Sequence, residues 1–296
     1  MPSLKEVKGR ISSVISTQQI TKAMKMVAAA KLRRSQDRIT QMRPFAQKLA
    51  SILKNLSSAQ SDDDGDNWYS QQREEKNILI IAISSDRGLC GSFNSSIFKG
   101  VARLVEERYK NEYAKGNVTI LPIGRKANEY FGKRKFTVVS DYSSLFSNLT
   151  FENVSAVAEY VMTAFKAGKF DKVELVYNEF KNVATQILRA EQFLPVVPQK
   201  EEGTQTATQI DYIFQPNQEE ILSGLIPKSL KVQLFKALLD SNAAENGARM
   251  TAMDKATDNA GELLKQLRLT YNRTRQAAIT KEILEIVGGA EALKSA

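Results

Sequence analysis

The sequence contains no histidine, one cysteine and one tryptophan among its 296 residues, and only seven prolines. Each shortage removes a class of function. Without histidine there is no Ser-His-Asp or Cys-His catalysis, no imidazole metal site and no histidine pH switch. Cys90 alone forms neither an internal disulfide nor a thiolate cage, and a single thiol fits a reducing compartment. The longest unbroken apolar run, Ile78 to Ile83, is far short of the roughly 20 residues that cross a bilayer, and no secretory signal is present. The segment from Met1 to Lys22 is basic and Ser-rich, as in a mitochondrial presequence. It also carries Glu6 and runs without a break into a longer helical pattern, so it is read as mature structure.

What is present begins with charge. Lys and Arg number 42 against 33 Asp and Glu. Residues 1–56 hold twelve of the basic residues and only two acidic ones, Glu6 and Asp37, leaving 30 basic and 31 acidic residues in the other 240. The positive charge therefore belongs to one element. A solvated helix face and a surface for an acidic partner both fit it. Nucleic-acid phosphates are a third candidate, but the chain has no basic-aromatic strand motif and no basic region forking from a parallel zipper.

No proline falls between Pro2 and Pro44, and Leu4, Val7, Ile11 and Val14 keep the 3-4 spacing of a helix with one buried stripe. Ser3 and Glu6 form a capping pair at its start. A second stripe, Ile39, Met42, Ala46, Leu49, Ile52 or Leu53, and Leu56, predicts a helix that kinks at Pro44 and does not end there. Residues 57–76 are polar and acidic and read as a linker, with Trp68 able to pin it to a neighbour. From Asn77 the period changes. Strands are expected at 77–84, 118–124, 136–139, 172–178 and 185–194, alternating with helices at 94–113, 125–131 and 152–167, which predicts a mostly parallel sheet with covered faces.

After a polar connector at 198–209 the pattern is helical again, with no proline from Lys228 to Ala296. Unbroken, those 69 residues span roughly 100 Å. Met250, Met253, Thr257, Ala260, Leu264, Leu267, Tyr271, Thr274 and Ala278 form a 3-4-3-4 seam with a bias to small residues. The N-terminal helix is the one partner of comparable length. Beyond Ala278 the apolar arc slips to Ile279, Ile283, Ile286 or Val287, Ala290 and Leu293 and widens through Leu284, so the tip presents apolar surface to more than one neighbour. The reading is residues 1–56 a helix, 57–76 an acidic linker, 77–209 an α/β domain and 210–296 a second long helix. The fold class is an antiparallel coiled coil of the terminal helices with an inserted Rossmann-like α/β domain.

The motifs offer little chemistry. SDRGLCG, 85–91, sits after a strand where glycines let amides approach a phosphate, yet neither GxGxxG nor GxxxxGK[ST] is present. Cys90 at a helix start would be a nucleophile without a base, so a buried structural thiol is the better account. Asp86 and Arg87 cap the turn or meet a partner. Glu282 and Glu285 share a helix side and read as a solvated or partner-facing acidic patch.

ISSVISTQQITKAMKMVAAAKLRRSQ (11–36), SSDRGLCGSFN (84–94) and ITKEILEIVGGAEAL (279–293) resemble the gamma subunit of the F-type ATP synthase, in that family's order and over nearly the whole chain. The resemblance implies a central rotor shaft without bond chemistry or cofactor of its own. Its terminal helices would turn inside a ring of three alpha and three beta subunits, with the α/β domain near epsilon and the membrane c-ring. One copy per complex would couple proton flow to ATP synthesis on the beta subunits. It also implies roles for residues. Thr21 to Ala30, including Lys22, Met24, Lys25 and Met26, and Ile279 to Ala292, including Lys281, Glu282, Ile283, Glu285, Ile286 and Val287, would face the ring. Asp86 and Arg87 would open a contact loop. Lys22, Lys25, Lys31, Arg33 and Arg34 would meet acidic lever segments of the beta subunits. The chloroplast-type insertion with paired cysteines is missing, which argues against thiol control, and the acidic stretch 57–76 departs from the family. Family-like sequence begins within the first few positions, so no presequence is expected. The location implied is peripheral, on the cytoplasmic face of a bacterial inner membrane, with a processed mitochondrial chain as the alternative. An autonomous coiled-coil scaffold or basic nucleic-acid binder remains the competing class.

Overall fold

A computed structural model describes residues 3–58, 68–134, 136–196 and 218–294. The chain divides into two compact units, Met1–Ala28 with Met250–Ala296, and Ala29–Arg249. Two long helices contribute to both units: α1, Leu4–Ser58, and α6, Gln218–Lys294. Ser3 starts α1 as its capping residue, its Oγ accepting from the Glu6 amide at 3.2 Å. The helix runs through Pro44 without ending, as the stripe predicts, and continues to Ser58, two residues into the expected linker. Residues 59–67 of that linker and the connector 198–209 lie outside the described residues.

In the first unit the two helices pair antiparallel. Gln18 lies against Gly261, Thr257 donates its hydroxyl to Thr21 Oγ1 at 2.8 Å, and Lys25 bridges Asp254, so one helix descends as the other rises. Val7, Thr21 and Ala28 are buried on α1, facing buried Met253, Ala260 and Leu264 on α6. Small residues let the backbones approach: a Cβ on Gly261 would stand 3.2 Å from Gln18 Nε2. The expected seam is buried or half-buried from Met250 to Thr274, whereas Ala278 is exposed. At this register α1, starting at Leu4, has nothing left to place opposite it.

In the second unit five strands, β1 Ile78–Ile83, β2 Val118–Ile123, β3 Thr137–Val138, β4 Lys172–Phe180 and β5 Gln186–Leu194, form one sheet in the order β3-β2-β1-β4-β5. All neighbours are parallel except β4 and β5. β1 is apolar at every position because both its faces are covered, and all six residues are fully buried. Helices α2, Phe93–Arg108, α3, Lys110–Ala114, and α4, Arg125–Gly132, lie on the side of the Ile97 and Phe131 core. Helix α5, Phe151–Lys166, packs the other side, joined there by Leu230, Leu234 and Leu238 of α6. Trp68 is held beside Lys166, whose ammonium lies 5.7 Å from its ring centre.

One expected element divides. The helix read over 94–113 breaks at Tyr109, which turns to φ −123°, because its buried hydroxyl donates to Glu174 Oε1 on β4 at 2.7 Å. That bond removes a buried hydroxyl and a buried carboxylate oxygen from the unsatisfied state, a larger gain than one more helical residue.

Asp240 of α6 is 6% exposed. Burial is the main cause that lifts its carboxyl to about 6 from an ordinary 3.8; Lys236 and Arg43 pull it back, while Glu179 and Glu191 push it further. The folded state thus holds this proton more tightly than the unfolded chain. Stability from this group is present below the unfolded value and is lost as pH rises through about 6. Asp240→Asn is expected to raise the melting temperature at pH 7.5, by an effect on the order of 2 kcal/mol. The gain should shrink toward zero in melts at pH 4; an equal gain at both pH values would reject this account.

Candidate functional site

The place where a doubly wound sheet binds ligands is the crevice beyond the C-terminal ends of its strands, at the point where strand order reverses. Here that point lies between β1 and β4, and the turn leaving β1 is Ser84 to Gly91. The turn spends its polar groups internally. Ser84 Oγ accepts from the Ala127 amide at 2.8 Å, the Ser85 carbonyl from Lys126 at 3.1 Å, and Asp86 Oδ1 from Arg125 at 3.1 Å. The first three amides of α4, which would otherwise be available to an anion, are all occupied. Gly124 makes this closure possible, since at φ +103° any Cβ would fall 2.2 Å from the Ser84 carbonyl oxygen.

Asn94 holds the other side of the turn, accepting from the Ser85 amide at 3.0 Å and donating to Cys90 Sγ at 3.3 Å. Cys90 is buried, and burial pushes its thiol up, away from the thiolate form a nucleophile needs. The structural reading of Cys90 is the one its surroundings support. Just before Cys90, Leu89 stands exposed at φ +64°, a left-handed position uncommon for a branched side chain.

Arg249 of α6 locks this turn, a role without any local signal in the sequence. Its guanidinium donates to the carbonyls of Gly88 and Arg87 and to Glu245 Oε1 one helical turn away. The Arg249 and Glu245 side chains are 12% and 14% exposed. Burial pushes the Glu245 carboxyl up, with the Arg249 charge opposing it.

Among the expected contact residues the structure makes distinctions. Thr21 is a seam residue, 8% exposed and bonded to Thr257, so it does not lie on the outward face. Lys25 is half-buried and bridged to Asp254, and Met24 is half-buried. Lys22, Met26, Lys31, Arg33 and Arg34 are exposed. Val27, inside the stretch expected to face the ring, is exposed, and so is Ile20, which sequence alone does not single out because its outward position is visible only once the seam phase is known. Asp86 caps α4, while Arg87 is exposed. At the far end of α6, Ile279, Ile283, Leu284, Ile286 and Val287 are 48–69% exposed, with Lys281, Glu282 and Glu285 exposed among them. Five large aliphatic side chains on little more than two turns form an apolar surface of the kind that marks an interface.

The helix pair also carries a groove of about 380 Å³, lined by Gly9, Arg10, Ser13, Val14, Leu263 and Leu267, without a carboxylate or thiol. No cluster of metal-ligating side chains occurs among the described residues, and no described helix is long and apolar enough to cross a membrane. A two-helix seam that outruns its partner, in one chain with an α/β fold whose turn after β1 is tied to its own chain, has the form of a mechanical or assembly component.

Comparison with known proteins narrows that class. The family model described as ATP synthase matches residues 3–293. The ATP synthase gamma chain of Cytophaga hutchinsonii is 59% identical over 296 residues, covering 100% of both chains. That of Christiangramia forsetii is 54% identical over 293 residues, 99% of each. Among solved structures, a chain of the Tetrahymena thermophila mitochondrial ATP synthase central stalk and c-ring matches with TM-score 0.54 and 28% identity, over 80% of this chain and 99% of that one. A rotor chain of the Euglena gracilis mitochondrial enzyme shares the fold, with TM-score 0.62 and 21% identity, over 93% of this chain and 98% of that one. The chain belongs to the ATP synthase gamma-chain family. It is a rotary shaft subunit and not itself a catalyst.

The Arg249 lock makes a direct prediction, because Cys90 is the chain's sole thiol. Replacing Arg249 with Leu should free the Arg87 and Gly88 carbonyls and speed maleimide labelling of native Cys90 by at least tenfold. Unchanged labelling would show that the turn holds itself.

Proposed function

We propose that the chain works as one copy inside a ring of three alpha and three beta subunits, its α/β domain meeting the epsilon subunit and the membrane c-ring. Turning of the shaft drives the beta subunits through their nucleotide states and couples proton flow to ATP synthesis. The observation that carries this reading is the α6 tip. Among the described residues α1 offers nothing to pair with α6 beyond Thr274, yet the helix keeps an aliphatic arc through Val287. Such a surface suits a close-fitting apolar sleeve lined by several neighbouring chains. The bacterial relatives support a peripheral position on the cytoplasmic face of the inner membrane.

Native mass spectrometry of the complex purified from its own membranes tests this, with an ATPase assay on the same fraction. One copy with three each of two larger nucleotide-bearing subunits is expected, and removal of 279–296 should weaken retention of the ring. A self-associated chain without ATPase would return the scaffold reading, and ring retention unaffected by the deletion would remove the tip from the interface.

The exposed cations of α1 are assigned to acidic lever segments of the beta subunits. Lys22, Lys31, Arg33 and Arg34 are exposed and suit this contact, whereas Lys25 is already bridged to Asp254. Neutralising Lys22, Lys31, Arg33 and Arg34 together should lower coupled ATP synthesis several-fold at low salt, with a smaller deficit at high salt where screening weakens the native contact too. Normal coupling in that variant at every ionic strength would refute the pairing.

A further inference from the structure

Outside α1 the chain is close to neutral, with 30 basic and 31 acidic residues, yet its positive charges are not evenly spread. The parallel sheet gathers them. Ile78, Val118 and Lys172 are in register at the starts of β1, β2 and β4, with Thr137 of β3 one step further along, so the loops entering all four strands share one edge. Hydrogen bonds knit these loops together. Arg73 Nη1 donates to the Phe165 carbonyl at 3.1 Å, Ile78 N to Asn117 O at 3.0 Å, and Asp171 accepts from the amides of Lys76 and Asn77.

Among the described residues, the carboxylates of this edge are largely spent. Glu74 pairs with Lys76 at 2.8 Å, Glu75 with Lys172 at 2.7 Å, and Asp171 is held by the two amides, leaving Glu112 on α3. Lys115, Lys133, Arg134, Lys166 and Lys169 remain exposed and without an ion pair among the described residues. Beside them stands half-exposed Trp68, with Lys166 over its ring.

We infer that this edge is a contact surface for anionic lipid headgroups. Four of these five cations are lysines, strongly hydrated point charges on flexible stems, while Arg134 donates to the Tyr130 carbonyl at 2.9 Å. The chain reads fixed oxygen acceptors elsewhere with Arg249, half-buried and forked onto three of them. Flexible lysines spread over three loops suit a shifting layer of phosphates better than a fixed set of carboxylates. A tryptophan beside a lysine suits the boundary between headgroups and acyl chains. The contact is adsorption and requires no helix to enter the bilayer.

The test uses the full chain and two sets of vesicles, phosphatidylcholine alone and phosphatidylcholine with phosphatidylglycerol as the minor component. It reads the ratio of binding to the two, so that apolar adsorption by the α6 tip cancels. The anionic vesicles should bind at least tenfold better at low salt, lose that preference at high salt, and shift the emission of Trp68, the only tryptophan, to the blue. A variant with Lys115, Lys133, Lys166 and Lys169 replaced by Gln should lose at least tenfold of the preference. Its melting temperature should hold, because all four side chains are exposed. A charge-matched variant of Lys5, Lys8, Arg10 and Lys22 should lose less than threefold and keep the Trp68 shift. Equal losses in the two variants, or binding without a Trp68 shift, would overturn the assignment. If wild-type chain ignores the anionic vesicles but is retained by a polyglutamate matrix through the same four lysines, the lipid assignment falls and the edge is a site for an acidic protein.

Discussion

The antiparallel pairing of α1 up to Ala28 with α6 from Met250 to Thr274 is the constraint on which the rest depends. Its bonds join residues 229 and 236 positions apart in the chain, Lys25 to Asp254 and Thr21 to Thr257. Closing so long a loop has an entropic cost that rises only slowly with length, but every contact in the pair must await it. Nothing local holds α1 up to Ala28 against α6. The seam also uses small and polar residues where a coiled coil ordinarily uses leucine, which narrows the spacing and makes the fit intolerant of added volume at positions such as Gly261.

The α/β unit has turned a ligand crevice into an internal lock. In a nucleotide-binding sheet the amides at a helix start and in the turn after β1 wait for phosphate. Here Ser84, Ser85 and Asp86 take the amides of α4, and Arg249 takes the turn's outward carbonyls. The same geometry that would bind an anion reversibly binds the protein's own chain permanently. A shaft benefits, since a turn satisfied by charge-assisted bonds from its own chain resists the loosening that a ligand's departure would bring.

Much of this is legible in the sequence. The apolar periods locate both long helices, all five strands and the seam from Met250, and the absence of histidine excludes whole classes of catalysis. What cannot be read has one physical origin, which is that the deciding partner is distant. The α1 face from Gln18 to Ser35 shows no hydrophobic period. Thr21 and Ser35 are buried there, and Gln18 half-buried, through bonding and close approach to α6, as when Ser35 Oγ donates to Asn242 Oδ1 at 2.7 Å. Sequence reading for that reason places Thr21 with the contact surface when it belongs to the seam. The break at Tyr109 depends on Glu174, 65 positions later, and the lock on the turn at 85–91 depends on Arg249, 161 positions beyond Gly88. Local propensity carries no trace of either.

The exposed tip and the closed crevice follow from the same division of labour. An enzyme concentrates its information in a concave site, where desolvated polar groups act on a substrate. A shaft must act on surfaces around it while changing little itself, so its information lies in convex features: the aliphatic arc at Ile279 to Val287, the cations of α1 and the charged edge of the sheet. Those features are costly in isolation, because apolar residues on a free helix invite association. They are tolerable only where neighbouring chains or a charged surface cover them, and this is why the outward side chains of this protein, and not its core, mark what it does.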